Sequence, residues 1–428
     1  MLNPPPFVKP LLTAPVAVLG AGVSGQAAVG LVRHLGGDAT IYDEGGRDGA
    51  ETVFRPTGHK LVLVSPGFPP NHTWVVEARS SGVICLAEID FASLFWRGKL
   101  VAITGTNGKT TLTEFLTYAL HEAGVDSWSV GNIGTAFSQV VVAREGGAPD
   151  SIAVCEVSSF QAEMLHHMRA DAAIWTNFAE DHLERHGSMQ SYFESKWRLF
   201  ERAVGREVFA GSGVARAAEQ FGQSLPEGAV VDTEDPAGDV LLSGTVFDDQ
   251  PQRENFLLAA AWWRAMGLRE PLLYAAAQTF AVGPHRLAKV TQVAEVTWWN
   301  DSKATNFHAT EAALMRFCAP IILIAGGKAK GGDVAGFVKR IVPRVKQVLL
   351  IGDTRNILAT FFGAAAVPHQ VCADLADAVH IAATNAQPGD QVLLSPGFSS
   401  LDAFAGYTDR GSQFESLVRA LTEAPTSS

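Results

Sequence analysis

The segment Thr104-Gly105-Thr106-Asn107-Gly108-Lys109-Thr110-Thr111 carries the densest chemistry in the chain. It follows an apolar run at 100–103 and opens a helical pattern. Gly105 and Gly108 let the backbone curl so that successive N–H groups face one anion, and a helix N-terminus adds positive potential there. Lys109 reaches the outer phosphates, and Thr110 offers a hydroxyl to Mg²⁺. The full G-x-x-x-x-G-K-[ST] spacing wants glycine where Ile103 stands, so this is a shortened form. A glycine turn with a surface lysine is the plainer alternative. The order strand, loop, helix favours an ATP-type phosphate site.

A second glycine loop, Gly20-Ala-Gly-Val-Ser-Gly25, follows the run 16–19, and Asp43 follows the next strand. That spacing taken alone suggests a dinucleotide site with Asp43 on a ribose hydroxyl, and the same geometry would hold any diphosphate attached to a nucleoside. A ligand-free turn is the plainer alternative. Glu156 ends the apolar run 152–154, where a carboxylate downstream of a phosphate loop can meet Mg²⁺. His182 and His186 stand one helical turn apart, but no further zinc ligand accompanies them. A single histidine helping to hold Mg²⁺ or a phosphate oxygen fits better. Lys196 falls in a predicted helix, 191–200, where pattern alone makes it a solvated lysine. It matters to chemistry only if its amine is buried and modified. Three polar loops, 300–306, 326–332 and 395–402, each follow a strand in the last third of the chain. Open α/β sheets bind ligands at such strand ends.

The elements that must hold these loops alternate short apolar runs with helical stretches, which predicts an α/β fold with parallel sheets covered by helices. At about 150 residues per domain, 428 residues predict three domains, with a boundary near 96–99. Strands are expected at 16–19, 40–42, 61–64 and 100–103, then at 296–299, 321–324, 348–351 and 392–394. Helices are expected from about Gln26 and Glu254. Residues 211–252 read as small strands and loops, 282–285 as a turn, and the tail from Glu423 as frayed. Lys and Arg number 33 against 44 Asp and Glu, a net charge of −11. That disfavours coating nucleic acid or an anionic membrane. Cys85, Cys155, Cys318 and Cys372 form no CxxC pair, so neither a disulfide framework nor a structural zinc module is expected. No apolar run approaches the roughly 18 residues of a membrane span, and the proline-rich start has no signal core. A soluble cytoplasmic protein is expected.

Taken in order, the 105–111 loop, Gly131-Asn-Ile-Gly134, Glu156-Val-Ser-Ser-Phe-Gln161, 177–182, His285-Arg286, 300–306, 394–396 and Leu401-Asp402 resemble the Mur ligase family over nearly the whole chain. The series is most similar to the members that add glutamate. The resemblance implies a Rossmann-like UDP-sugar domain (1–97), a central P-loop ATPase domain (98–283) and a Rossmann-like amino-acid domain (284–428). It implies ATP-driven joining of glutamate, expected as the D enantiomer, to UDP-N-acetylmuramoyl-L-alanine through an acyl phosphate, in peptidoglycan precursor synthesis. ATP and Mg²⁺ are the implied cofactors, and a monomer is expected.

The same resemblance assigns roles residue by residue. Gly22, Val23, Ser24, Asp43 and Ser65 match the UDP-sugar site, and Asn132 and Ser158 the muramoyl-alanine side. Gly105, Thr106, Asn107, Gly108, Lys109, Thr110, Thr111, Asn255, Arg286 and Asp301 match the ATP set. Lys303, Thr305, Lys330, Ser400, Leu401 and Tyr407 match the glutamate pocket. Lys109, Glu156, His182, Lys196 and Asp301 are the implied catalytic residues. Thr110, Glu156, His182 and a carbamylated Lys196 are the implied metal ligands. The chain departs from the family at Pro251-Gln252, where a His-Asn pair is usual, and at Leu287-Ala288, where an acidic residue is usual. It departs again at 396–400, where small residues with a cysteine are common, and at Tyr407, where Phe is expected. Two alternatives stay open: a related ligase adding another amino acid or extending folate, and a nicotinamide-dependent oxidoreductase built on the Gly20 loop.

Overall fold

Three runs of β–α alternation give three separate sheets in the computed structural model, which describes residues 2–234 and 239–423. The first sheet holds β1 (Val16–Leu19), β2 (Ala39–Tyr42), β3 (Leu61–Val64) and β4 (Ile84–Ala87), in the order β2-β1-β3-β4. All its pairs are parallel. The second holds β5 (Lys99–Thr104), β6 (Ser127–Gly131), β7 (Ile152–Glu156), β8 (Ala172–Trp175), β9 (Val208–Gly211) and β10 (Val230–Val231). Its order is β10-β9-β8-β5-β7-β6, again parallel throughout. The third holds β11 (Ala288–Val293), β12 (Val296–Asn300), β13 (Ile321–Gly326), β14 (Val345–Ile351), β15 (His369–Val371) and β16 (Gln391–Leu394). Its order is β11-β12-β16-β13-β14-β15, with β11 antiparallel to β12 and the rest parallel.

These orders decide where ligands can bind. In the first sheet the chain leaves β1 to one side for β2 and to the other for β3, and the Gly20 loop sits at that reversal. In the second, β5 lies between β8 and β7, so the 104–111 loop also follows a reversal. A crevice opens at such points because neighbouring connections leave on opposite faces. In the third sheet β12, β16 and β13 are adjacent, and the three polar loops 300–306, 395–402 and 326–332 follow those three strands.

Packing groups the chain into two compact units: residues 1–178, 190–245 and 253–280, and residues 179–189, 246–252 and 281–428. In the first unit one apolar core runs from Val16 and Leu63 of the first sheet to Ala102, Ala153 and Trp175 of the second. Helix Val23–His34 packs on helix Phe137–Ala143, which joins the two sheets. In the second unit the strands alternate between two cores. Leu323, Ala325, Val348, Leu350 and Leu393 face one side, while Ile322, Ile324, Leu349, Val392 and Leu394 face the other. That period of two with both faces apolar is what a helix-covered parallel sheet requires.

Several expectations shift. The first helix begins at Val23, three residues early, and the alanine-rich helix begins at Gln252. Residues 211–252 are not all strand and loop: Ser212–Gln220 is a helix, with Val214, Ala217 and Ala218 buried as an i, i+3, i+4 stripe. Alanines made that stripe hard to see, since its apolar signal is weak. The expected fraying after Glu423 falls outside the described residues. No helix among the described residues is long and apolar enough to cross a membrane.

Candidate active site

The 104–111 loop is held by its neighbours on all sides. Gly105 and Gly108 take φ of 155° and 81°, and a Cβ at either would lie 1.9 Å from Thr176 Oγ1 or 2.4 Å from Asn255 Oδ1. Both positions therefore need glycine. Helix Lys109–Glu122 starts at Gly108, so its first N–H groups point out of the N-terminus toward the loop. Lys109 Nζ donates to the carbonyls of Gly105 (2.9 Å) and Thr106 (2.8 Å). Thr110 and Thr111 are buried at 8% and 3% exposure. Gly105→Ala should break the bond from Thr176 Oγ1 to the Asn107 carbonyl (2.6 Å). The expected cost is about 1–3 kcal/mol of stability and a matching loss of nucleotide affinity, read by melting and by calorimetry.

Lys196 overturns the solvated-helix reading. It is 1% exposed, and its Nζ donates to the Gly105 carbonyl (2.7 Å) and to Thr104 Oγ1 (3.3 Å). The amine also sits 4.9 Å from the centre of the Tyr192 ring. Helix Met189–Glu201 buries Tyr192, Phe193, Leu199 and Phe200 along with it, so Lys196 lies on the apolar stripe. Two lysines thus converge on one loop carbonyl.

Glu156 ends β7 beside Ile103 of β5 and Gly131 of β6. It is 1% exposed, and Oε1 accepts from Asn132 Nδ2 at 2.9 Å. Oε2 is buried with no hydrogen-bond partner among the described residues. A buried anionic oxygen left unpaired is costly and suits a cation. No cluster of three His, Cys, Asp or Glu suited to a metal occurs among the described residues. One carboxylate, a threonine hydroxyl and substrate phosphates are the donor set Mg²⁺ accepts. Ser158 caps helix Ser159–Ala162, accepting from Gln161 N.

Around Gly20, the Ala21 N–H donates to Asp43 Oδ2 (3.3 Å) and the Gly45 N–H to Oδ1 (3.0 Å). The bond from Ala21 is the main reason the Asp43 carboxyl lies below its ordinary range. Asp43 therefore braces the loop. Gly22 and Val23 are exposed and Ser24 half-buried. Ser65 Oγ, against which a Cβ at Gly20 would press (2.9 Å), is buried with no partner among the described residues. Ser65 also lines a small pocket with Phe68, Phe160 and Gln161.

In the second unit the three loops are tied by their backbones. Gly397 N donates to Ala304 O (3.0 Å), Gly326 N to Pro396 O (2.9 Å) and Lys328 N to Ser399 O (2.8 Å). Thr305 and Lys330 line a small open pocket with Asp181, Leu183, Asn306 and Phe398. Lys330 Nζ lies 3.3 Å from Asp181 Oδ1 and 3.4 Å from Thr305 Oγ1. Lys303 Nζ sits 4.1 Å from the centre of the Tyr407 ring. Ser400 is buried, whereas Leu401 is 63% exposed. His182, with φ of 54°, belongs to this unit, 3.6 Å from Asp181 Oδ2 and 3.4 Å from Glu184 Oε1.

Asp301 Oδ1 accepts from Leu287 N (3.0 Å) and Oδ2 from Ser395 Oγ (2.8 Å). His285 and Leu287, on either side of Arg286, take φ of 64° and 50°, so this anchor holds a strained turn. Burial pushes the Asp301 carboxyl up to about 7 from 3.8. Between those values the native state keeps a proton that the unfolded chain has lost. Asp301 therefore lowers stability as pH rises through that window, and fully so above it. Asp301→Asn should flatten the fall in stability from pH 4 to pH 7.5, measured by denaturant titration at both ends.

Sequence reasoning missed Arg410. It is 0% exposed and donates to Ser302 Oγ (3.0 Å), Ser302 O (2.9 Å) and Phe398 O (3.3 Å), bracing two of the loops. Arg410 stands four and eight residues before the buried Phe414 and Val418, so the helical spacing puts it on the apolar stripe of helix Tyr407–Glu423. The grip of Thr176 and Asn177 on the phosphate loop was also missed, although both stand in a segment already dense in polar groups.

Profiles of known families match twice: Mur ligase middle domain over residues 103–217, and the profile described as Mur ligase, glutamate ligase domain, over 285–398. The UDP-N-acetylmuramoylalanine–D-glutamate ligase of Chlorobaculum parvum is 34% identical, over 95% of this chain and 97% of its own. The Myxococcus xanthus protein of the same name is 36% identical, over 95% and 98%. Among solved structures, UDP-N-acetylmuramate-alanine ligase of Thermotoga maritima superposes with a TM-score of 0.58 over 95% of this chain and 99% of that one. At 13% identity that likeness speaks for the three-domain fold alone. With the phosphate loop, its two lysines and the tied strand-end loops in place, the near full-length relatives show that this chain belongs to the Mur ligase family.

Proposed function

We propose that the chain is an ATP-dependent ligase that joins D-glutamate to UDP-N-acetylmuramoyl-L-alanine, a step in building peptidoglycan precursors. Relatives of 34% and 36% identity carry that activity in their names and align over nearly the whole chain, which favours it over the folate, other amino-acid and nicotinamide readings. The observation that carries the ATP half is the convergence of Lys109 and Lys196 on the Gly105 carbonyl.

A free carboxylate resists attack by an amine because it offers no leaving group. Transfer of the γ-phosphoryl group to the alanine carboxylate gives an acyl phosphate and ADP. The glutamate amine then adds to the acyl carbon, loses a proton, and phosphate departs as the amide forms. Like charges must be brought together for the first transfer, so fixed cations carry most of the catalysis. Gly105 to Thr111 would cradle the phosphates, with Lys109 on the outer ones. Asn255, Arg286 and Asp301 complete the proposed ATP set.

Thr110 and Glu156 would hold one Mg²⁺, and the unpaired Glu156 Oε2 fits that role. His182 and Lys196, carbamylated, would serve a second. Bound Mg²⁺ supplies charge neutralisation on the phosphates. Gly22, Val23, Ser24, Asp43 and Ser65 would take the UDP-sugar, with Asn132 and Ser158 toward its alanine. Lys303, Thr305, Lys330, Ser400, Leu401 and Tyr407 would take glutamate, with the Lys330 amine offered to a carboxylate. On this reading residues 1–97, 98–283 and 284–428 serve the sugar nucleotide, ATP and amino acid in turn, in a cytoplasmic monomer.

A panel of D-glutamate, L-glutamate, alanine, lysine and diaminopimelate, each assayed for phosphate release with UDP-N-acetylmuramoyl-L-alanine, tests the substrate. Release is expected with D-glutamate at least about tenfold above every other member. Equal release with another amino acid would reassign the pocket.

A further inference from the structure

The phosphate loop is shaped by a side chain to which the proposed reaction gives no role. Asn177 follows β8 and grips the loop twice. Its carbonyl accepts from Thr106 N (3.0 Å), and its side-chain Oδ1 accepts from Asn107 N (2.9 Å). The preceding Thr176 adds a bond from its hydroxyl to the Asn107 carbonyl (2.6 Å). The limb of the loop that leads up to Gly108 is thus pinned from outside. Its continuation, the first turn of helix Lys109–Glu122, is left aimed at the anion site.

This arrangement works with only one orientation of the Asn177 amide. Were the amide turned over, an NH₂ group would face the Asn107 N–H, donor against donor. What fixes the orientation is Glu254, whose Oε2 accepts from Asn177 Nδ2 at 2.8 Å. As the acceptor of that bond Oε2 holds the NH₂ end and leaves Oδ1 to the loop. Burial raises the Glu254 carboxyl to about 7, and the hydrogen bonds it accepts from Asn177 and Thr233 work the other way, favouring the ionised form. Glu254 is itself held. Thr233 also hydrogen-bonds its carboxylate, and Gly211 leaves it room, since a Cβ there would lie 3.1 Å from Oε1. The next residue on helix Gln252–Ala265, Asn255, packs against Gly108, so a single helical turn reaches the loop from two sides.

We propose that Glu254 is a positioning residue for nucleotide binding, acting through the Asn177 amide to hold the phosphate loop in its anion-binding shape. The proposal rests on loop 104–111 being the ATP site. It adds a residue, far from the loop in sequence, on which that site's affinity depends.

The test is binding of a non-hydrolysable ATP analogue by calorimetry, with KM for ATP and for the UDP-sugar measured on the same proteins. Glu254→Ala should weaken analogue binding and raise KM for ATP by about tenfold, leaving KM for the UDP-sugar unchanged. Glu254→Gln keeps an acceptor for Asn177 and turns an NH₂ toward Thr233, whose hydroxyl can accept, and should stay within about twofold of wild type. Glu254→Met keeps the bulk without the acceptor, and replaces the alanine variant if that one melts early. Wild-type analogue binding by a folded alanine or methionine variant overturns the proposal. So does an equal loss in the glutamine variant, which would mean that accepting a hydrogen bond is not what Glu254 supplies. Failure of the wild-type protein to bind the analogue at all would instead remove the ATP site itself.

Discussion

Lys109→Ala is expected to abolish ATP-driven ligation, lowering turnover on the order of 10²–10³-fold or more, while the UDP-sugar binds as before. The Lys109 amine is fixed over the loop by two carbonyls, Gly105 and Thr106, so it is positioned before any nucleotide arrives. A preorganised cation gives its full effect as charge builds on the transferring phosphoryl group, because nothing has to rearrange at that moment. The proposed sugar-nucleotide site belongs to other loops, at Gly20 and Ser65 after β1 and β3, and does not use this amine. Phosphate release and calorimetric titration with the UDP-sugar, on the same preparation, read the two effects. A variant that loses UDP-sugar affinity as well would argue that the two ligands do not occupy separate sites.

The second large effect is expected at Lys196. Lys196→Ala should lose about 10²-fold or more in turnover, and millimolar formate or acetate should restore part of it. Lys196 is 1% exposed and lies on the apolar stripe of its helix. Its hydrogen bonds to Gly105 O and Thr104 Oγ1 place it directly under the phosphate loop. Carbamylation converts such an amine into an anion able to bind metal, and a small carboxylate fits the space that truncation leaves. Turnover plotted against carboxylate concentration is the measurement, with chloride at equal ionic strength as control. Full activity without rescue would deny Lys196 a part in the chemistry. Rescue by chloride to the same level would point to bulk salt.

Much of this architecture was legible because it is local. The glycines at 105 and 108, the lysine after them and the strand before them are contiguous, so their geometry follows from a few dihedral preferences. Strands such as Val16–Leu19 and Leu61–Val64 announce themselves as apolar runs because both faces of their sheets are covered. What stayed hidden depends on pairing across the chain. That β16 inserts between β12 and β13, bringing three polar loops together, is a fact of strand order that no local pattern encodes. β11 was missed because its exposed and half-buried residues, such as Lys289 and Thr291, give no apolar run. Asn177 and Glu254 are separated by 77 positions and Asp181 and Lys330 by 149, so neither pair leaves a mark at helix or strand spacing. Lys196, which pattern alone read as solvated and the resemblance made catalytic, also carried a local signal. It shares a helical stripe with Tyr192, Phe193, Leu199 and Phe200, a poor place for a solvated charge.

The claim beneath every assignment is that ATP activates the sugar-peptide acid by phosphorylating it. The direct measurement uses UDP-N-acetylmuramoyl-L-alanine labelled with ¹⁸O in the alanine carboxylate, together with ATP, D-glutamate and the wild-type protein. Transfer through an acyl phosphate predicts that the phosphate released carries one ¹⁸O from that carboxylate. Amide product accompanied by unlabelled phosphate, or no ATP consumption with both substrates present, would contradict it.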